Sequence, residues 1–387
     1  MEKFSILLVA VKPPVEASLV ASLGQPQGVR SYSDVSPARA ALQQARPAVA
    51  VVSVSGPQLT DALELVGEAA GLGVPTVALA AEKDPELILA AMRAGAREFL
   101  IAGEEKQLER AVQGLLESSG AIKLGTVTAV LPAKGGVGST VVATHLAGAL
   151  ARRDRRVCLA DVDLELGDAL AFLEVAGGYT FADVAANDRR LDRDLLDASV
   201  PRHSSGVWVL SQSEKVVEAE RLGAEGVARV LRFLRHHYDH VVLDGLRGFG
   251  DLALASLDLA DRIVLLVTQE VPAVRAAQRR VELLRQLGYD ASRIVVAVNR
   301  YHRGASVSRQ VIEETLQLPV AATIGNDFRT LTRAVNRGVL VWEESKRSPI
   351  AQDCEEFAEL LDGGAAEPAS EGLLSRLFYT KVVLNGA

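Results

Sequence analysis

Cysteine is nearly absent from this chain: Cys158 and Cys354 are the only two among 387 residues, and neither sits in a Cys/His ligand spacing. Two such thiols exclude a disulfide framework and point to a reducing cytoplasm. Aromatic residues are scarce as well, at 4%, which leaves few rings on which the bases of a single strand would stack. There is no excess of positive charge. The 42 lysines and arginines face 49 acids, for a formal charge of −7, and this argues against a nucleic-acid partner for the chain as a whole. Nor does any apolar run approach the roughly 20 residues that span a bilayer. The apolar stretch 4–11 ends at Lys12-Pro13-Pro14, too early for the core and cleavage site of a signal peptide; it reads as a first strand.

What is present is ordinary for a globular protein, with 49% hydrophobic and 24% charged residues, and the length predicts two domains. Short β-runs at 5–9, 48–54, 75–79 and 98–101 alternate with helical patterns. After Ser118-Ser119-Gly120 a second series follows, at 127–131, 157–160, 207–210, 241–243, 263–267, 294–298 and 320–324. Strands separated by helices predict an α/β fold with parallel sheets covered on both faces, and the continuously apolar strands fit that burial. The predicted organisation is one domain over 1–120, a second over 121–362, and a linker and tail over 363–387. The segment from Gly363 to Ser370 is poor in anything that forms a core.

The chemistry concentrates at Lys134-Gly135-Gly136-Val137-Gly138-Ser139-Thr140. A β-run precedes these residues and an apolar-periodic helix follows, which is the context of the phosphate-cradling pattern G-x-x-x-x-G-K-[ST]. In that register the first glycine falls at Ala133, the last at Gly138, the lysine at Ser139 and the magnesium-binding hydroxyl at Thr140. The backbone N–H groups of Gly135 to Ser139 remain as phosphate donors. Asp244 ends an apolar strand and fits the acid that reaches magnesium directly or through water. Asp161 and Asp163 follow another strand, at the sheet edge where α/β ligands bind, and Asn299 closes a third, where a side-chain amide would read an adenine edge. ATP and Mg2+ are therefore the expected cofactors. Taken singly, each acid also fits a solvated loop or a helix cap, and the loop fits a plain glycine-rich turn; their placement around one loop joins them.

These residues resemble a family. Lys134-Gly135-Gly136-Val137-Gly138 with Asp163, Asp244 and Asn299 is similar to the deviant Walker A ATPases of the ParA/MinD class. There the early lysine reaches across a dimer to the partner's nucleotide. The resemblance implies catalytic roles for Lys134 and Asp163, cofactor binding by residues 134–140 and Asn299, metal binding by Thr140 and Asp244, and a homodimer. Leu318-Pro319-Val320, Ile324-Gly325-Asn326-Asp327, Ala334-Val335-Asn336-Arg337-Gly338 and the tail Gly372-Leu373-Leu374-Ser375-Arg376-Leu377-Phe378 resemble the CpaE/TadZ branch. That branch implies pilus or secretion machinery of the Tad type as partner, with recruitment to the inner membrane or a cell pole. The alternative within the class is a cycling ATPase that positions DNA or division proteins. The chain departs from the class at Ser139, where a second lysine is normal. A unit charge pair about 4 Å apart at an effective dielectric near 20 is worth roughly 4 kcal/mol gross, whereas a serine hydroxyl returns about 1 kcal/mol net. Retained ATP binding with slow or absent hydrolysis is the expectation.

The N-terminal domain resembles a flavodoxin-type response-regulator receiver without its phosphotransfer chemistry. Ala10 and Val11 stand at the acidic pocket positions, Ser53 at the acceptor, and Ala80 and Ala102 at the hydroxyl and lysine. A pseudo-receiver used for docking or dimerisation is expected. Three weaker signals remain, each with two readings. His236, His237 and His240 suggest either a metal site or a structural turn. Arg152-Arg153-Asp154-Arg155-Arg156 reads as a helix cap or, with Arg275, Arg279 and Arg280, as a DNA-binding patch. In the tail, Leu373, Leu374, Leu377, Phe378 and Val382 share one helical face, for a membrane surface, a partner, or the chain's own domain.

Overall fold

A computed structural model describes residues 5–22, 28–119, 121, 124–164, 167–187, 191, 193–211 and 216–363. The expected linker beyond Gly363 and the tail lie outside the described residues. The chain divides into two compact units after Leu124.

In the first unit, β1 (Ile6–Val9), β2 (Val29–Tyr32), β3 (Val49–Ser53), β4 (Thr76–Ala80) and β5 (Glu98–Ile101) form a parallel sheet in the order β2-β1-β3-β4-β5. This is a doubly wound order, in which right-handed crossovers put helices on both faces. Side chains alternate along each strand. Leu7, Val9, Ala50 and Val52 therefore pack with Ala38, Leu42, Leu65 and Val66 on one face. Ile6, Leu8, Val49 and Val51 pack with Val15, Leu108, Val112 and Leu116 on the other. β2 was not among the expected strands. It is a short edge strand with Arg30 and Ser31 exposed, and an edge needs no continuous apolar run.

In the second unit, β6 (Thr126–Pro132), β7 (Val157–Asp161), β8 (Trp208–Leu210), β9 (His240–Asp244), β10 (Arg262–Thr268), β11 (Ile294–Tyr301) and β12 (Val320–Gly325) lie close to the expected runs. They form a seven-stranded sheet in the order β12-β11-β10-β6-β9-β7-β8, parallel throughout. Alternation again fills both faces: Val127, Ala129, Leu131, Val241, Leu243 and Leu265 enter one core, and Val130, Val242, Val264 and Leu266 the other. The second core is closed by the helices Ser139–Ala151 and Pro349–Asp362, with Leu146, Ala147 and Leu150 among residues that include Cys354, Phe357 and Leu361. Each fully buried Leu or Phe contributes about 1.5–3 kcal/mol. Both cysteines are buried and unpaired. Burial pushes the Cys354 thiol up to about 12 and raises Cys158 further, so these are packing residues rather than nucleophiles. Because every strand is parallel, β6, β7, β9 and β11 deliver their carboxyl ends to one edge of the sheet.

Candidate nucleotide site

At that edge β6 runs into the glycine loop, and the helix Ser139–Ala151 begins directly after it. Gly138 caps the helix with φ of 91°, and a Cβ there would lie 2.6 Å from Asn299 Nδ2. Glycine is required on both counts. The loop is held from outside by its carbonyls. Asn299 Nδ2 donates to Val137 O at 2.8 Å, Arg300 donates to Gly136 O at 3.1 Å, and Arg280 Nε donates to Ala133 O at 3.0 Å. Bonds made through carbonyls leave the loop's N–H donors unspent, as an anion site at a helix N-terminus needs.

Across the sheet, Asp161 at the end of β7 stands in register with Asp244 at the end of β9. Both are buried. Burial first, and then the charge of Asp244, push the Asp161 carboxyl up to about 7. Asp161 shapes the next loop: its Oδ1 accepts from the Asp163 N–H and its Oδ2 from the Ala169 N–H, both at 3.1 Å. Gly245, with φ of 83°, lies so close that a Cβ would sit 2.5 Å from Asp161 Oδ1. Burial also raises Asp244, against bonds from the Thr140 hydroxyl and the Gly245 N–H. Asp244 Oδ1 is buried without a hydrogen-bond partner. An orphaned carboxylate oxygen beside a threonine hydroxyl fits a hard cation with oxygen ligands, and magnesium needs only one or two such protein donors when phosphate supplies the rest.

The remaining expected residues gather at the same edge. Asp163 is paired with Arg247, from the loop after β9. Lys134 Nζ lies 3.5 Å from Glu270 Oε2, with both side chains about half exposed. Ser139 opens the helix. Asn299, expected to present its amide to an adenine edge, here spends Nδ2 on Val137 O and Oδ1 on the Arg300 N–H at 2.9 Å, so it works as a clamp on the loop. Beside the loop opens a cavity of about 220 Å³, lined by Val142, Asn299, Arg300, Ile324 and Phe328 among others. Arg247 and Arg300 escaped the sequence reading, and Arg280 entered it only as part of a surface patch. The one available signal was their position: Arg300 follows Asn299, and Arg247 follows the β9 acid within a glycine-flanked loop.

Two of the weaker signals, the arginine run and the histidines, meet partners inside the second unit. Arg152 pairs with Glu355, Arg153 and Arg155 pair with Asp362, and Arg156 pairs with Asp197 while lying over the Trp208 ring at 4.7 Å. Each arginine of the run thus has an acidic partner within its own unit. Burial works to raise Asp362, yet bonds from Arg155, His240 and Arg153 hold its carboxyl at about 2. His237 Nδ1 donates to Phe233 O at 2.8 Å and His240 Nε2 meets Asp362 at 3.1 Å. No group of three or more His, Cys, Asp or Glu among the described residues is arranged to hold a metal, and no described helix is long and apolar enough to cross a membrane. In the first unit, Ala10, Ser53, Ala80 and Ala102 all stand at the carboxyl edge of the sheet, and Ser53 Oγ bonds Ser55 Oγ at 3.0 Å.

Comparison with known proteins agrees with this geometry. The ParA family model, described as "NUBPL iron-transfer P-loop NTPase", matches residues 123–312. The septum site-determining protein MinD of Thermotoga maritima is 27% identical over 274 residues, covering 67% of this chain and 99% of that protein. Among solved structures, a ParA family ATPase from Chlorobium tepidum aligns with TM-score 0.57 at 22% identity, over 61% of this chain and 98% of its own. MinD from Pyrococcus horikoshii, solved with Mg-ADP, aligns with TM-score 0.54 at 21% identity, over 62% and 96%. Residues 123–312 thus match the ParA family model, and the chain is similar to MinD over a comparable stretch.

Proposed function

We propose that this chain binds Mg-ATP and turns binding into assembly, with weak or absent hydrolysis. The observation that carries the reading is Ser139 in the place of a lysine, inside a loop that keeps Gly138 and Thr140 while Ala133 stands at the first glycine. Thr140 and Asp244 would hold the magnesium, which supplies charge neutralisation to the phosphate oxygens. Gly135 to Ser139 would cradle those oxygens, and the cavity by Val142 and Ile324 would take the base. Lys134 is the deviant Walker A lysine of this reading. Its exposed pair with Glu270 is worth at most about 1 kcal/mol, so a phosphate on a second copy of the chain outcompetes it readily. A homodimer around nucleotide follows as the assembled state. The resemblance of residues 318–338 to the CpaE/TadZ branch supports a Tad-type pilus or secretion system as the machinery assembled. The first unit, with strand order 2-1-3-4-5 and alanines where phosphotransfer chemistry would stand, suits a pseudo-receiver that docks partners.

The experiment is Ser139→Lys in the full chain. A large rise in ATP hydrolysis, with dimer formation by mass in solution retained, is expected. Unchanged hydrolysis would sink the claim that the missing lysine limits turnover. A second reading, a cycling ATPase that positions division proteins, is favoured by the MinD relative; rapid turnover by the unaltered chain would select it.

A further inference from the structure

Asn299 and Arg300 are consecutive, yet both side chains reach the same loop, at Val137 O and Gly136 O. A regular strand sends neighbouring side chains to opposite faces. Two backbone features lift that rule here. The register between β11 and β12 shifts between Val298 and Tyr301, and Arg300 takes a left-handed φ of 54°. The Arg300 N–H, bonded to Asn299 Oδ1 at 2.9 Å, secures the turn. Bulges and left-handed non-glycine residues at strand ends re-aim side chains, and they persist where the surroundings hold them in place.

Charge singles out Arg300 among the cations near the loop. Lys134 faces Glu270 and Arg247 faces Asp163. Arg280 is partly buried over the Phe249 ring and donates to Ala133 O and Arg247 O. Arg300 is exposed, and its side-chain partner is a neutral carbonyl. Among the described residues no carboxylate forms an ion pair with it. A guanidinium cannot deprotonate at working pH, and its planar fork pairs two phosphate oxygens at once.

We propose that Arg300 is the intramolecular cation that binds nucleotide phosphate at this loop, supplying the charge that Ser139 does not. The proposal rests on the nucleotide-binding reading above. On arrival of the polyphosphate, the guanidinium exchanges one exposed bond to Gly136 O for charge-assisted bonds to phosphate. Lys134 is then left for the partner subunit's nucleotide.

The test is calorimetric titration of the full chain with Mg-ATP at two or more salt concentrations, in the unaltered protein, Arg300→Gln, Arg300→Lys and the double variant Ser139→Lys/Arg300→Gln. Arg300→Gln should weaken binding by about tenfold or more and flatten its salt dependence, with an unchanged melting temperature before nucleotide is added. Arg300→Lys should keep most of the affinity, and Ser139→Lys should restore it in the Arg300→Gln background. The proposal is overturned if Arg300→Gln binds as tightly as the unaltered chain, or if the added lysine restores nothing. Absence of Mg-ATP binding by the unaltered chain would overturn the nucleotide reading itself, and this proposal with it.

Discussion

At the residue scale, Gly138 and Asn299 determine each other. The glycine's positive φ lets the loop turn into its helix, and its missing Cβ leaves room for the amide that clamps Val137 O. Gly138→Ala would combine a strained left-handed alanine with a contact no real Cβ tolerates, and should destabilise the fold by about 1–3 kcal/mol. It should also displace Asn299 and weaken Mg-ATP binding; urea denaturation and a nucleotide titration read the two effects. Retained stability with retained binding would show that the clamp is dispensable. Much of this site was legible in the sequence, because Thr140, Asp163 and Asp244 follow strands whose apolar runs are unambiguous. The arginines were not legible. Arg300 reaches the glycine loop through a bulge, Arg247 reaches Asp163 from the segment after β9, and neither leaves a mark in hydrophobic periodicity.

At the scale of elements, the loop's helix is tied to the C-terminal part of the unit by a histidine. His145 Nε2 accepts from the Val341 N–H at 3.1 Å, so Nδ1 carries the proton and donates to Val141 O at 2.7 Å. The ring is neutral and buried, and burial lowers its pKa from 6.5 to about 4. The sign follows from proton uptake. Below pH 6.5 the unfolded chain binds a proton that the folded chain refuses until about pH 4, so this contribution is complete above 6.5 and is lost as pH falls between those values. The total loss is about 3 kcal/mol. Denaturation at a series of pH values should show this slope in the unaltered chain and its loss in His145→Asn, which does not titrate; parallel curves would refute it. No sequence pattern announces such a tie, since His145 lies on an apolar helix and its partner is a backbone N–H far along the chain. The arginine run illustrates the converse. Its composition was plain, but its meaning came from Asp362, Glu355 and Asp197, acids that only the fold brings near.

At the scale of the whole molecule, two sheets with different strand orders account for the two rhythms of β-runs, and the ParA family model falls on the second unit. The parallel sheets and the loop's context were legible because buried parallel strands write continuous apolar runs. The edge strand β2 was not, because an edge is half solvated. On the proposed reading the output turns on Ser139, in a loop that also carries Ala133 at the first glycine position, so binding and turnover have to be read together. The most direct measurement is an equilibrium titration of the full unaltered chain with Mg-ATP, with phosphate release followed in the same samples. The account predicts saturable binding of one nucleotide per chain with little phosphate released. Stoichiometric binding with rapid turnover, or no saturable binding, would contradict it.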